Sequence, residues 1–196
     1  MRKSLLAVWL LILFATITVL FWYNEVVYSM PTPVPENYKG LQVGGDVLLP
    51  EKVRTDSRPL FLHFFNPDCP CSRFNITHFK SLVMSYGEQV NFQVVVMSKE
   101  EYTVTDIQDK YDLAIPVLFD SSIAATCGVY STPQAVIIEN DKLYYRGNYN
   151  KSRYCTDKKS NYAETALQSL LNKTNYPGFD GYALKAYGCQ LPTCTK

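Results

Sequence analysis

A chain of 196 residues has room for one domain with appendages, since domains commonly hold about 100–200 residues. Hydrophobic residues make up 47% of it and its formal net charge is +1, which excludes a disordered polyelectrolyte. The 19 Lys and Arg are interspersed with 18 Asp and Glu, so no basic face marks a nucleic-acid partner.

In chain order, a basic start (Arg2, Lys3) precedes an uncharged run from Leu5 to Tyr23. About 20 apolar residues span a hydrocarbon core as a helix, whereas signal-peptide cores are shorter. Residues 1–23 therefore read as a transmembrane anchor with its N-terminus in the cytoplasm, which sends the rest of the chain out of it. A cleaved signal peptide is the alternative, with Val27-Tyr28-Ser29 as a weak cleavage site. Residues 24–58 read as a linker and lead-in, with Pro31, Pro33 and Pro35 favouring an extended spacer and Gly44-Gly45-Asp46 a turn.

From Pro59 the pattern is that of an α/β domain, residues 59–173. Leu60–Phe65 is a short, nearly continuous apolar run, as expected of a strand buried on both faces. Arg73–Tyr86 has helical spacing and Gly87 as a stop. Phe92–Met97 predicts a second strand, Glu100–Tyr111 a helix and Pro116–Phe119 a brief extended piece. Gln134–Glu139 and Leu143–Arg146 predict a hairpin around Asn140-Asp141, and Tyr162–Leu171 a closing helix. Alternating strands and helices, a hairpin and a last helix imply a mixed sheet covered on both faces. Residues 174–196 form an extension carrying two cysteines.

The six cysteines (Cys69, Cys71, Cys127, Cys155, Cys189, Cys194) agree with an exported domain, where an even number suits disulfides. Cys69-Pro70-Cys71 falls where the first strand hands over to the first helix. Backbone N–H groups at a helix start favour a thiolate, which attacks a disulfide, and a second thiol nearby resolves the mixed disulfide. Cys69, at the outer edge of the turn, is the candidate nucleophile, and Cys71 the resolving thiol.

The run Phe64-Phe65-Asn66-Pro67-Asp68-Cys69-Pro70-Cys71 resembles the active-site segment of the thioredoxin superfamily, and Gly128 through Ile138 resembles its second signature, a residue–proline pair before a strand. The resemblance extends over about residues 58–173 and is strongest to membrane-anchored periplasmic thioredoxin-like and redoxin proteins. It implies a thioredoxin-like three-layer fold with a central mixed sheet. Cys69 and Cys71 would be the redox pair, Pro133 a cis-proline, and Thr132, with Pro70, part of the surface that binds a substrate chain. His63 occupies the place of a buried acid six residues before the first cysteine, and near neutral pH a histidine accepts and donates protons. The expected activity is thiol–disulfide exchange without a cofactor or metal. Its partners would be exported proteins with thiols or disulfides and a membrane redox partner, with the domain on the periplasmic side of the inner membrane.

The site departs from the family pattern. One residue separates the cysteines, Asp68 stands where a tryptophan is usual, and a Cys69/Ser72 frame with Cys71 as an extra thiol is a second way to read it. The alternatives are a peroxiredoxin-like peroxidase and a non-catalytic binding or metal-carrying module, the latter using Cys69, Cys71, His63 and His78. The outer four cysteines, Cys127, Cys155, Cys189 and Cys194, are candidates for structural disulfides with three possible pairings. On the implied fold, Cys127 and Cys155 would approach each other and Cys69, leaving Cys189 and Cys194 to close a local loop. Relay of electrons from Cys69 and Cys71 to Cys155 is the sharper alternative. Tyr144, Tyr145, Tyr149 and Tyr154 are expected to cover the sheet edge and pack the tail. Asn75, Asn150 and Asn172 match glycosylation acceptors.

Overall fold

The computed structural model describes residues 2–53 and 56–191. Its first element, α1 (Arg2–Phe21), is a 20-residue helix with no buried residue. A π-helical turn, Trp22–Val26, carries it into α2 (Val27–Ser29). Over Arg2–Ser29 the mean hydropathy of the most apolar 18-residue window reaches 2.6, so among the described residues this helix is long and apolar enough to cross a membrane.

The domain is built on a five-stranded mixed sheet of order β3-β2-β1-β5-β6. β1 (Leu60–Phe65) is buried along its whole length and lies at the centre. It pairs in parallel with β2 (Asn91–Val96), His63 opposite Val94, and antiparallel with β5 (Gln134–Glu139), His63 opposite Ala135. The apolar run fits this place because a central strand presents no wet face. Between β1 and β2 runs α3 (Pro70–Tyr86), which Pro70 opens at its first position, where a missing N–H costs nothing. α4 (Val104–Tyr111) starts four residues later than the spacing suggests, because Thr103 and Asp106 form a capping box there. The two-residue β3 (Val117–Leu118) follows, then α5 (Ser122–Cys127), too short for periodicity to show.

Gly128 ends α5 at φ 66°, a left-handed conformation that glycine adopts without a steric penalty. β4 (Ser131–Thr132) leads into β5, and the β5–β6 hairpin turns on Asn140 and Asp141, both at positive φ, before β6 (Lys142–Gly147). α6 (Tyr162–Leu171) lays Ala163, Ala166, Leu167 and Leu170 on the sheet. α7 (Gly181–Leu184) and β7 (Cys189–Gln190) complete the described chain, and β7 forms a separate two-stranded ladder with β4.

The sheet is covered on both faces. Phe61, Phe65, Phe79, Phe92, Tyr145 and Tyr149 fill one side with α3 and α6. Val47, Leu49, Val53, Leu62, Phe64 and Ile123 fill the other, so the lead-in before β1 packs as part of the core. Tyr145 and Tyr149 are fully buried, and Tyr145 donates to Asn148 O at 2.7 Å. Tyr154 sits 40% exposed, over Phe74.

Candidate active site

The end of β1 is turned by its own polar groups. Asp68 N–H donates to Asn66 Oδ1 at 2.8 Å, Cys69 N–H to Asn66 O at 3.1 Å, and Asn66 N–H to Ser72 Oγ at 3.2 Å. Asp68 accepts from Ser98 Oγ and from the Tyr102 hydroxyl at 2.6 Å, which ties the turn to the segment after β2. The result places Cys69 at the N-cap of α3 with extended backbone (φ −90°, ψ 122°) and Cys71 in the first turn. Cys69 therefore stands at the N-terminal end of a 17-residue helix, although its sulfur makes no capping hydrogen bond there.

Cys69 is bonded to Cys189, 120 residues away, with their Cα atoms 6.6 Å apart. The Cys71 sulfur lies beside this bond, and the three Sγ atoms are all within 4.8 Å of one another. All three residues are buried, and Tyr28, from the end of the N-terminal helix, packs against them. The expected grouping of Cys189 with Cys194 is corrected here, since Cys189 is taken by Cys69, and Cys194 lies outside the described residues. Sequence offered no sign of this contact. It exists because segment 186–191 crosses back over the active-site edge.

That edge is β4 and the cis Thr132–Pro133 peptide. β7 runs antiparallel to it, with Thr132 opposite Cys189 and Ser131 opposite Gln190, and Leu191 N–H donates to Tyr130 O at 3.2 Å. Thr32, from the linker, straps the segment down. Its N–H donates to Ala186 O at 2.7 Å, its hydroxyl donates to Gly188 O at 2.9 Å and accepts from Gly188 N–H at 3.0 Å, and Ser131 Oγ lies 3.0 Å from the same oxygen. Neither Thr32 nor Ser131 was legible as a site residue.

The helix end is held by a second set of contacts. Arg153 donates to Asn24 O at 2.7 Å and stands over the Tyr28 ring at 4.9 Å, while Tyr154 OH donates to Glu25 Oε1 at 2.8 Å. A cavity of about 460 Å³ opens among Tyr28, Asn75, Pro133, Tyr149, Arg153 and Cys155, beside the disulfide edge.

His63 is fully buried, stacked on Phe79 with ring centroids 4.3 Å apart, and its Nδ1 lies 2.7 Å from the Tyr149 hydroxyl. Burial pulls its pKa down to about 3. The ring is therefore neutral at pH 7, which corrects the expectation of proton exchange near neutrality. His78 is half-buried against Tyr149. Among the described residues, the side-chain group arranged to hold a metal ion is Cys69, Cys71 and Cys189, not a set that includes either histidine, and with Cys69 and Cys189 bonded to each other two of its thiolates are consumed.

Cys127 and Cys155 are not joined to each other, which corrects that pairing. Cys127 packs with the Val47–Phe64 side of the core and Cys155 against the Phe61–Tyr149 side, so the sheet separates them. Cys155 accepts from Asn75 Nδ2 at 3.0 Å, and burial pushes both thiols up to about 12. Thiols so raised stay protonated and are poor nucleophiles, which weighs against a relay through Cys155. Asn75 itself is buried, which removes it as a glycosylation acceptor.

The family described as "Domain of unknown function (DUF6436)" matches residues 41–192 of this chain. No curated protein matches it significantly. Among solved structures, a hypothetical protein from Sinorhizobium meliloti 1021 aligns with TM-score 0.63 at 16% identity, over 80% of this chain and 97% of that one. An uncharacterized conserved protein from Geobacillus kaustophilus aligns with TM-score 0.55 at 21% identity, over 77% and 86%. A thioredoxin-like protein solved in its oxidized form aligns with TM-score 0.50 at 15% identity, over 74% and 98%. At such identities the likeness is one of fold, and the fold is thioredoxin-like.

Proposed function

The chain belongs to the DUF6436 family, and for it we propose thiol–disulfide exchange with exported proteins, carried out through Cys69 from a membrane anchor. The observation that carries this reading is the disulfide of Cys69 at the start of α3, beside cis-Pro133, with a third sulfur within 4.8 Å. A buried structural cross-link needs no third sulfur within 4.8 Å. An exchange centre does, because a mixed disulfide has to be resolved by a nearby thiol.

In the oxidised state, when the returning segment swings clear of the edge, a substrate thiolate attacks Cys69 Sγ, the bond to Cys189 breaks, and Cys189 leaves as thiolate. A second substrate thiolate then attacks its own sulfur in the mixed disulfide and Cys69 leaves, stabilised by the helix start. The substrate is oxidised by two electrons and the Cys69–Cys189 pair is reduced by two. With a reduced chain and an oxidised substrate the same steps run backwards, and Cys71 or Cys189 resolves the mixed disulfide. With α1 across the membrane and Arg2 and Lys3 on the cytoplasmic side, the domain lies outside the cytoplasm, where disulfides persist. The docking of Glu25 and Tyr28 then holds the site close to the membrane surface.

The test is a glutathione titration of the full-length protein in detergent, read by alkylation and gel shift. A reversible two-electron transition that disappears in Cys69→Ser is expected. A flat titration, or a transition that survives Cys69→Ser, would overturn the reading.

A further inference from the structure

The sulfur proposed to do the chemistry is out of reach as it stands. Cys69 is 0% exposed, Cys71 2% and Cys189 1%, and the chain's own segment 186–191, together with Tyr28, lies over them. That segment does not lie across the site at random. It adds a strand to β4 immediately before cis-Pro133 and sets its cysteine opposite Thr132, bonded to Cys69. An extended peptide joined to the nucleophile through a disulfide and to the neighbouring edge by backbone bonds is the geometry of an enzyme–substrate mixed disulfide, here made within one chain.

We infer that segment 186–191 is a built-in substrate mimic that closes the site until the Cys69–Cys189 bond is exchanged, and that it reports the substrate class: an extended polypeptide bearing a Gly-Cys pair. The inference rests on the exchange reading of Cys69. The glycine is dictated by contact, since a Cβ on Gly188 would come within 2.2 Å of Thr132 O and 2.7 Å of Ser131 Oγ. Thr132 O belongs to the backbone of the paired strand, so the residue before the cysteine has no room for a side chain.

Release needs no external electrons. Cys71 thiolate attacks Cys69 Sγ, a Cys69–Cys71 bond forms as Cys69–Cys189 breaks, and Cys189 leaves as thiolate and takes up the proton that Cys71 gave to solvent. The strand is then held only by its backbone ladder and by Thr32. Hydrogen bonds of that kind contribute about 1 kcal/mol each, so a competing peptide can displace it.

The experiment uses the full-length Cys189→Ser protein, reduced, in detergent. It is offered a synthetic peptide of residues 185–191 whose cysteine carries a thionitrobenzoate leaving group, and the same peptide with Gly188→Ala. Attack of Cys69 on the peptide sulfur releases coloured thionitrobenzoate. The glycine peptide should react about tenfold faster, as expected for a contact worth one or two hydrogen bonds. Equal rates would overturn the mimic and leave the exchange reading standing. No release from either peptide would overturn both. Thr32→Val, with every cysteine retained, provides a second measure: dithiothreitol should reduce its Cys69–Cys189 bond about tenfold faster than in the unaltered chain. An unchanged rate would show that the strap does not hold the site closed.

Discussion

The five cysteines within the described residues occupy two kinds of place. Cys69, Cys71 and Cys189 meet at an edge, where a helix start, a cis peptide and a returning strand converge. Cys127 lies in the packed layer on one side of the sheet, and Cys155 packs against the margin of the other, on the wall of the cavity beside the edge. Cys69, Cys71, Cys127 and Cys189 are buried and Cys155 is partly exposed, so burial does not separate the groups. What separates them is the company they keep. At the edge three sulfurs lie within 4.8 Å of one another at a helix start, while burial raises the Cys127 and Cys155 thiols to about 12. The two groups differ in their neighbours: at the edge sulfur lies beside sulfur, whereas Cys127 and Cys155 are held protonated by burial among other side chains.

Replacing one cysteine of each kind is the most direct way to break that contrast. Cys69→Ser is expected to lower the rate of exchange with a model disulfide by at least about 100-fold, the cost of losing a covalent nucleophile. A comparable loss in Cys155→Ser would erase the contrast. The interior also predicts how acid acts on it. His63 is held neutral to about pH 3, whereas in the unfolded chain it takes up a proton near 6.5. The unfolded state thus binds the extra proton between these values. This contribution to stability is complete above about pH 6.5 and falls by about 1.4 kcal/mol per pH unit below it. Thermal unfolding of the full chain between pH 7 and 4 should therefore have a steeper slope than that of His63→Gln. Parallel slopes would show that this ring does not govern acid sensitivity.

Smaller effects sharpen the contrast. Cys127→Ser should cost about 1–3 kcal/mol by denaturant titration, because a hydroxyl replaces a thiol among Val47, Phe64 and Ile123, and the exchange rate should stay as it was. Cys155→Ala removes an acceptor for Asn75 and a little packing. It should cost about 1 kcal/mol and leave the redox transition in place. A shift of that transition would return Cys155 to the electron path.

Much of the scaffold was legible because it repeats a local rule. The buried run of Leu60–Phe65, the stripe of Tyr162–Leu171 and the turn at Asn140-Asp141 each carry their own signal, and each forms where that signal places it. The start of α4 was misplaced because a capping pair, Thr103 and Asp106, outweighs propensity over residues 100–103. Short elements such as α5, β4 and β7 hold too few residues for any period to show.

For the site, the sequence by itself determined the anchor-like helix, the strand-to-helix turn and the position of Cys69 at it, since these depend on neighbours within a few residues. Only the tertiary structure decided which sulfur Cys69 meets and that the groove is filled. Cys71 is two residues away and Cys189 is 120, yet a bond over that distance depends on how a whole sheet brings a late segment back across an early one. No local preference encodes a closure of that length. It follows from the β4–β7 ladder and the Thr32 strap, which exist only once the core has formed.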